Sequence, residues 1–329
     1  MCGIAGLVSF GAPLGLEWAA RARGMAERLE RRGPDGRRGV VVPGGRCALG
    51  HARLKVIDLE TGDQPMADGE GRFFVVFNGE IYNFLDLRRE LEARGHRFRT
   101  RSDTEVILHG YAEWGEAVVT RLDGMFAFAL YDTLEQRLLL ARDRAGKKPL
   151  YLMRAGDRLL FASQPRAFEA LEGVRLAPDP DAFPLYLAYG YVPGPRTAWQ
   201  GVVTLPPAHA AVFEADGRER RWRYWRAHFR SGPGQEEDEA LTLRRRLEAA
   251  VEARLIADVP LGAFLSGGVD SSLVVGLMSR LMDEPVRTFS IGFADDPNYD
   301  ETSFARLAAD AFGTDHTEFV VEASAADLL

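Results

Sequence analysis

Four short apolar runs follow one another between residues 122 and 162, separated only by turn-sized intervals. Runs this short and this closely spaced predict strands that pair as antiparallel hairpins. Earlier apolar strands at residues 4–10 and 73–77, with two or three helices, complete the pattern. The sequence therefore predicts an α+β layered domain in residues 1–216.

Residues 217–239 are predicted to be a connecting strand and a linker. Residues 218–226 interleave arginine with aromatic side chains. Grooves that bind single-stranded nucleic acid use such interleaving, but we favour a last strand of the domain with one solvated face. Residues 231–239 are glycine-containing and acidic, which is typical of a linker.

From residue 240 onward the pattern changes to alternating helices and strands. Strands are predicted at residues 259–265, 287–293 and 317–321, with helices between them. This alternation predicts the start of an α/β doubly wound parallel sheet in residues 240–329.

The first of these strands runs directly into Ser266-Gly-Gly-Val-Asp-Ser271 and then into a helix. Two glycines let the backbone approach an anion closely, and a helix N-terminus directs free N–H groups at it, so this loop could hold a phosphate. A tight turn between strand and helix is the alternative. The loop matches neither the dinucleotide-binding pattern nor the Walker pattern.

Cys2 stands directly before the apolar strand at the beginning of the chain. If Met1 is removed, Cys2 carries both a thiol and a free α-amine, two groups whose ordinary pKa values are close. The amine can then take the thiol proton, directly or through water, which makes Cys2 a candidate nucleophile. The alternative is an ordinary apolar strand with an incidental cysteine.

Three further places carry polar groups that suggest a ligand, each with a structural alternative. Arg53 is an isolated charge among apolar neighbours and would need an anion, although a surface arginine explains it too. Asn78-Gly79 follows an apolar strand as a turn whose amide and N–H could form an oxyanion hole. Asp103 is predicted in the first turn of a helix opened by the capping box Ser102–Glu105, where the helix dipole alone favours an acid.

Composition excludes several classes of protein. The net charge of −7 gives no overall attraction for nucleic acid, and no run of 18 apolar residues could span a membrane. Cys2 and Cys47 are the only cysteines, no signal peptide precedes them, and the six histidines show no metal-ligand spacing with cysteine. We therefore expect a cytoplasmic protein without a zinc site, with Cys47 as a core thiol.

Taken together, the motifs resemble those of a known family. Six segments resemble motifs of the class II glutamine amidotransferase domain: Met1–Ile4, Arg32–Gly36, Arg53–Asp58, Asn78–Asn83, Ser102–Glu105 and Gly146–Tyr151. Ser266–Ser271 resembles the pyrophosphate loop of ATP pyrophosphatases. Their order, with Tyr191-Val-Pro and Leu205-Pro-Pro between them, resembles glutamine-hydrolysing asparagine synthetase, with the exosortase- and exopolysaccharide-associated branch as a narrower suggestion.

The resemblance implies a fold and a set of roles for the first domain. The fold would be the αββα sandwich of N-terminal nucleophile hydrolases. Cys2 would attack the glutamine carboxamide, and Asn78 with the Gly79 N–H would stabilise the oxyanion. The resemblance also implies a glutamine-binding set, in which Arg53 takes the α-carboxylate and Asp103 with Glu80 takes the α-ammonium: Arg53, Leu54, Lys55, Val56, Ile57, Asn78, Gly79, Glu80 and Asp103.

For the second domain the resemblance implies ATP and Mg²⁺ as cofactors. Ammonia would pass to a carboxylate, aspartate in this family, that ATP has activated as an acyl-adenylate. Leu265 and Ile291 would flank the adenine, and Asp270 would contact Mg²⁺. The residues implied to bind ATP are Leu265, Ser266, Gly267, Gly268, Asp270, Ser271 and Ile291.

Two departures from the family pattern leave alternatives open. Gln164 stands where the family usually has glutamate, and the later acidic and glycine-rich motif of the family is not found before Leu329. We therefore expect a fragment whose last 90 or so residues are marginally stable, with Phe264 exposed at an open sheet edge. A two-activity amidotransferase, a stand-alone glutaminase and a non-catalytic nucleotide- or partner-binding module remain as hypotheses. The expected partners are small molecules, with a homodimer left open.

Overall fold

The structure, a computed structural model, describes residues 1–229, 239–293 and 300–321. The chain divides into two compact units, residues 1–229 and 230–329. Of the linker predicted at residues 231–239, only Glu239 belongs to the described residues.

Two six-stranded antiparallel sheets form the centre of the first unit. In chain order its strands are β1 Gly3–Ser9, β2 Gly36–Val41, β3 Cys47–Arg53, β4 Met66–Ala67, β5 Phe73–Ile81, β6 Gly124–Asp132, β7 Arg137–Arg142, β8 Tyr151–Ala155, β9 Arg158–Ala162, β10 Val202–Thr204, β11 His209–Phe213 and β12 Glu219–Arg223. One sheet has the order β10-β8-β9-β1-β3-β2 and the other β12-β11-β7-β6-β5-β4.

Helices cover the outer faces of the two sheets. They are α1 Glu17–Glu27, α2 Phe84–Ala93, α3 Glu105–Trp114 and α4 Val118–Arg121, whereas α5 Ala182–Tyr189 is mostly exposed. Trp18 and Met25 of α1 pack in one hydrophobic cluster with the β1 sheet, whereas Leu87 of α2 and Ile107 of α3 pack in another with the β5 sheet. The expected αββα sandwich is confirmed.

The period of β6 shows why the sequence forms this sandwich. Its large residues Phe126, Phe128 and Leu130 belong to the cluster with α2 and α3. The residues between them, Ala127 and Ala129, face the cluster between the two sheets. Alternate side chains of a strand point to opposite faces, so one short segment supplies both hydrophobic layers.

The second unit contains a parallel sheet with the order β13-β14-β15. Its elements are α6 Glu239–Glu252, β13 Gly262–Phe264, α7 Val269–Leu281, β14 Arg287–Phe293, α8 Thr302–Phe312 and β15 Asp315–Val321. Within the described ranges β13 pairs only with β14, and Phe264 is 78% exposed, as expected. None of the helices in the described residues has the length and hydropathy needed to cross a membrane.

The predicted capping box at the start of α3 is only half formed, because Ser102 Oγ accepts a hydrogen bond of 3.2 Å from the Thr104 N–H but Glu105 does not bond to the Ser102 amide. The helix begins at Glu105, so Asp103 lies before its first turn, and Thr104 at the N-cap makes no side-chain capping bond. The Glu105 carboxylate instead reaches back to accept hydrogen bonds from the Arg99 and Thr100 amides. Those bonds hold the preceding loop against the helix.

Candidate active site

Strand pairing places Cys2 beside the end of β3. β1 is antiparallel to β3 with Gly3 opposite Ala52, so the residue before Gly3 comes next to Arg53 and Leu54. The Cys2 Sγ lies 3.4 Å from the Leu54 N–H, which donates to it, and 3.6 Å from the Leu54 carbonyl, to which the thiol donates. Burial raises the pKa of the Cys2 thiol, while the Leu54 N–H lowers it. The thiol therefore needs a base to become a nucleophile.

A cavity of about 110 Å³ opens next to Cys2. It is lined by nine of the residues predicted for the glutamine site, namely Cys2, Arg53, Leu54, Val56, Ile57, Asn78, Gly79, Glu80 and Asp103. Lys55, the tenth, does not line it. The Lys55 side chain is exposed, and its amide donates to Asp35 outside the cavity.

Arg53 is buried at one side of this cavity, with only 5% of its surface exposed. The isolated arginine expected from the sequence is in fact ion-paired, because its Nη1 lies 2.6 Å from Asp63 Oδ1. Nη1 also donates to the Leu59 carbonyl at 3.4 Å, and Nη2 donates to the Asp58 carbonyl. These three partners fix the guanidinium against the cavity wall.

Asp103 supplies a buried carboxyl to the same cavity. It is 4% exposed, and its Oδ2 accepts a hydrogen bond of 2.9 Å from the Ile81 N–H. Burial raises the pKa of Asp103 to about 7, and the nearby negative charge of Glu80 adds to that effect. A cation beside Asp103 would favour its ionised form.

Asn78 and Gly79 lie within β5, so the predicted turn is wrong and the strand continues to Ile81. Phe77 and Ile81 use their N–H groups on the edge of β5 that faces away from β6, donating to Gln64 and Asp103. Because N–H groups two residues apart point to the same side of a strand, the Gly79 N–H points to that edge, where Gly79 lines the cavity.

Gly79 is required by packing. A Cβ at Gly79 would lie 2.1 Å from the Met125 carbonyl oxygen on β6, a distance that no side chain tolerates. Asn78 is fully buried, and in the orientation that satisfies both ends its amide donates to the Cys2 carbonyl at 3.0 Å. Its oxygen then accepts from Arg32 Nη2 at 3.3 Å. Asn78 and Gly79 thus bring two donors to the Cys2 end of the cavity.

Sequence reasoning assigned no role to two basic residues that belong to this site. Arg32 Nε donates to the Cys2 carbonyl at 3.0 Å. Lys148 is 4% exposed and lines the cavity, and burial lowers the pKa of its ammonium. The Asp143 carboxylate accepts from the Lys148 and Lys147 amides and so shapes that loop. Arg32 and Lys148 each lie in a segment that resembles a family motif, and that resemblance was the sequence feature that could have identified them.

In the second unit the predicted phosphate loop leads from β13 into α7. Gly267 has a φ of +77°, a conformation that favours glycine, and a Cβ at Gly268 would meet nothing closer than the Ser266 hydroxyl at 3.4 Å. The hydroxyls of Ser266 and Ser271 are hydrogen-bonded to each other at 3.0 Å. The loop therefore has a small, hydroxyl-bearing surface at the N-terminus of a 13-residue helix.

A cavity of about 160 Å³ adjoins this loop. Leu265, Ser266 and Ile291 of the predicted ATP site line it, together with Glu301. Asp270 is exposed in the first turn of α7. No group of three or more metal-ligating side chains is found within the described ranges of the chain.

Comparison with known proteins agrees with both halves of this description. Residues 1–225 match the glutamine amidotransferase domain family, and residues 242–329 match the asparagine synthase family. The chain is 36% identical to asparagine synthetase [glutamine-hydrolyzing] 3 of Bacillus subtilis, over 98% of this chain and 54% of that protein. It is 34% identical to putative asparagine synthetase [glutamine-hydrolyzing] 2 of Methanocaldococcus jannaschii, over 97% of this chain and 64% of that protein. The chain thus spans roughly half to two thirds of these relatives.

A solved structure supports the fold. Glutamine phosphoribosylpyrophosphate amidotransferase from Bacillus subtilis superposes with a TM-score of 0.50 at 18% identity, over 99% of this chain and 70% of that one. At this identity the likeness concerns the fold alone, which is that of the N-terminal nucleophile hydrolases. The chain belongs to the glutamine amidotransferase domain family, and in its residues 242–329 that domain is followed by a match to the asparagine synthase family.

Proposed function

We propose that the first unit hydrolyses glutamine to glutamate and ammonia, with Cys2 as the nucleophile. One observation carries the proposal: a single small cavity contains a thiol, a buried guanidinium and a buried carboxyl. Glutamine has one carboxylate, one ammonium and one carboxamide. The cavity offers a complementary group for each of them.

Recognition of glutamine would rest on two charges. Arg53 would bind the α-carboxylate through its remaining N–H groups, because guanidinium and carboxylate match in geometry. Asp103 would bind the α-ammonium and ionise fully as it does so, since a neighbouring positive charge lowers a carboxyl pKa. Between these contacts the side-chain carboxamide would reach Cys2.

The chemical step would follow from the surroundings of the thiol. Once Met1 is removed, the α-amine of Cys2 would take the thiol proton, and Sγ would attack the carboxamide carbon. The Gly79 N–H and the Asn78 amide would stabilise the negative oxygen of the tetrahedral intermediate. The C–N bond would then break, and the nitrogen would leave as ammonia with the proton held by the α-amine. Water would hydrolyse the thioester to glutamate and restore the thiol.

For the second unit we propose nucleotide binding and, with it, the activity named for the relatives. ATP would supply the adenylyl group that activates a carboxylate, aspartate in an asparagine synthetase. The residues present fit such a ligand, because Gly268 leaves the loop open and the hydroxyls of Ser266 and Ser271 face the same loop. Leu265 and Ile291 would contact the base. Asp270 would contribute an oxygen to Mg²⁺, which prefers oxygen ligands.

The test of the glutaminase proposal is glutamate release by the 329-residue chain. Cys2→Ala should abolish release, whereas Cys47→Ala, a change at a fully buried cysteine outside the cavity, should retain it. A non-removable N-terminal tag should also inactivate the protein, since it converts the α-amine to an amide without basic character. Hydrolysis at an undiminished rate by Cys2→Ala or by the tagged chain would refute the mechanism. The narrower branch, the acceptor and the assembly state stay predictions.

A further inference from the structure

A chain of three charges leads from the cavity to the protein surface. Asp63 lies between two arginines, with Oδ1 2.6 Å from Arg53 Nη1 and Oδ2 2.6 Å from Arg38 Nη2. Side-chain exposure increases from Arg53 (6%) through Asp63 (36%) to Arg38 (64%). Arg38 belongs to β2 and lies outside the cavity lining.

Two backbone carbonyls hold Arg53 in addition to Asp63. The backbone carbonyls of Leu59 and Asp58 accept hydrogen bonds from its two Nη atoms. Gly62 closes the remaining space, because even a Cβ there would lie 2.7 Å from Nη2. Asp63 therefore differs from the other two partners of Arg53 in carrying a full negative charge.

That charge competes with any anion that enters the cavity. A carboxylate bound by Arg53 would lie near the Asp63 carboxylate, and like charges repel. Arg38 reduces the repulsion, because it neutralises the other oxygen of Asp63.

We propose that Asp63 and Arg38 together form a counter-charge that sets glutamine affinity through Arg53. This inference rests on the proposed glutaminase function. Asp63 is the specificity-determining residue, since it limits how strongly Arg53 attracts an α-carboxylate. Arg38, which is mostly exposed, weakens this effect of Asp63 by neutralising its other oxygen. Neither side chain lines the cavity, so both should act on binding of glutamine through Arg53 and leave its cleavage unchanged.

Two single variants should shift KM for glutamine in opposite directions. Asp63→Asn keeps an oxygen for Arg53 but removes the negative charge, so KM should fall by about five- to tenfold. Arg38→Gln leaves the charge of Asp63 uncompensated, so KM should rise, by only about two- to threefold because Arg38 is mostly exposed. In both variants kcat should remain within about twofold of the unchanged chain.

The double variant separates this proposal from independent surface effects. Once Asp63→Asn has removed the carboxylate, Arg38 has no charge left to neutralise, so adding Arg38→Gln to that variant should change KM no further. Asp86→Asn is the matched control, because Asp86 is an exposed aspartate paired with Arg89 on α2. It should leave KM unchanged.

A substrate without the carboxylate provides a second test. 4-Aminobutanamide retains the ammonium and the carboxamide, so its kcat/KM should be the same for Asp63→Asn and the unchanged chain. The inference is overturned if Asp63→Asn leaves KM for glutamine unchanged or raises it. It is also overturned if Arg38→Gln has its full effect in the double variant. If the unchanged chain releases no glutamate at all, the failure is that of the proposed function itself.

Discussion

The buried carboxyl of Asp103 should make glutamine binding depend on pH. In the empty cavity burial raises its pKa from 3.8 to about 7, so at pH 6 most molecules carry a proton there. The α-ammonium of glutamine needs the ionised form. Glutamine affinity is therefore present above pH 7 and is lost as the pH falls through that value. The dissociation constant should rise about tenfold for each pH unit below it, or about 1.4 kcal/mol per unit.

Calorimetry on the Cys2→Ala chain measures this binding without turnover. Between pH 5 and 8 the carboxylate and ammonium of glutamine do not titrate, so a change in affinity reports on the protein. Binding should also release a proton from Asp103, about 0.5 per glutamine at pH 7 and about 0.9 at pH 6. Titrations in two buffers with different ionisation enthalpies count that proton.

A matched pair of variants checks that Asp103 is the source. Asp103→Asn cannot ionise, so its weaker glutamine binding should be independent of pH over the same range. Asp86→Asn, at an exposed site on α2, should keep the profile of the unchanged chain. A dissociation constant that is flat from pH 5 to 8, or binding at pH 6 without proton release, would refute the assignment of Asp103 to the ammonium.

Gly62→Ala should raise KM for glutamine at least about tenfold with little effect on kcat, because its Cβ would lie 2.7 Å from Arg53 Nη2; equal KM values would contradict this. Asp103→Asn should unfold at a higher urea concentration than the unchanged chain. The difference in free energy of unfolding should grow from pH 4 to pH 8 toward about 4 kcal/mol, because the unchanged chain loses over that interval the stability that the raised pKa of Asp103 contributes at low pH. A margin independent of pH would argue against it. Iodoacetamide should label Cys2 and not Cys47 in the native chain, since Cys47 is fully buried and burial raises the pKa of its thiol; mass spectrometry showing two labels would count against this.

Much of the fold was predictable because local patterns determine it. Short strands at turn-sized spacing must pair with their neighbours, and alternating apolar residues specify which face is buried. That Cys2, Arg53, Asn78 and Asp103 belong together was also predictable, but only as a set of motifs, and the structure places all four at one cavity. Each had an adequate structural explanation when considered alone. The cavity that unites them depends on strand pairing between residues far apart in sequence, such as Gly3 and Ala52.

The predictions that differ from the structure, at Gly79, Glu105 and Arg53, have a common physical origin, because one residue type can serve different structural purposes. Glycine after asparagine favours a turn, but Gly79 is needed because β6 approaches too closely for any side chain. Glu105 fits a capping pattern, yet its carboxylate is used by the Arg99 and Thr100 amides. The ion pair of Arg53 with Asp63 could not be predicted from the sequence either, because Asp63 is ten residues away in a segment without regular periodicity.

The place of β1 inside its sheet sets an order of events during synthesis. β1, which directly follows Cys2, lies between β3 and β9, and its Ala5 pairs with Ala162 of β9. The strand therefore gains its second neighbour only after about 160 residues have been synthesised. At ribosomal speeds that takes roughly 8 to 30 seconds. During this interval β1 has at most one neighbouring strand, so the N-terminus can extend into the active site of an aminopeptidase and lose Met1, although Met1 itself stays 57% exposed after folding. We expect maturation to be efficient on nascent chains and slow on folded ones, which mass spectrometry of refolded, Met1-bearing protein treated with the peptidase would test; rapid cleavage there would contradict it.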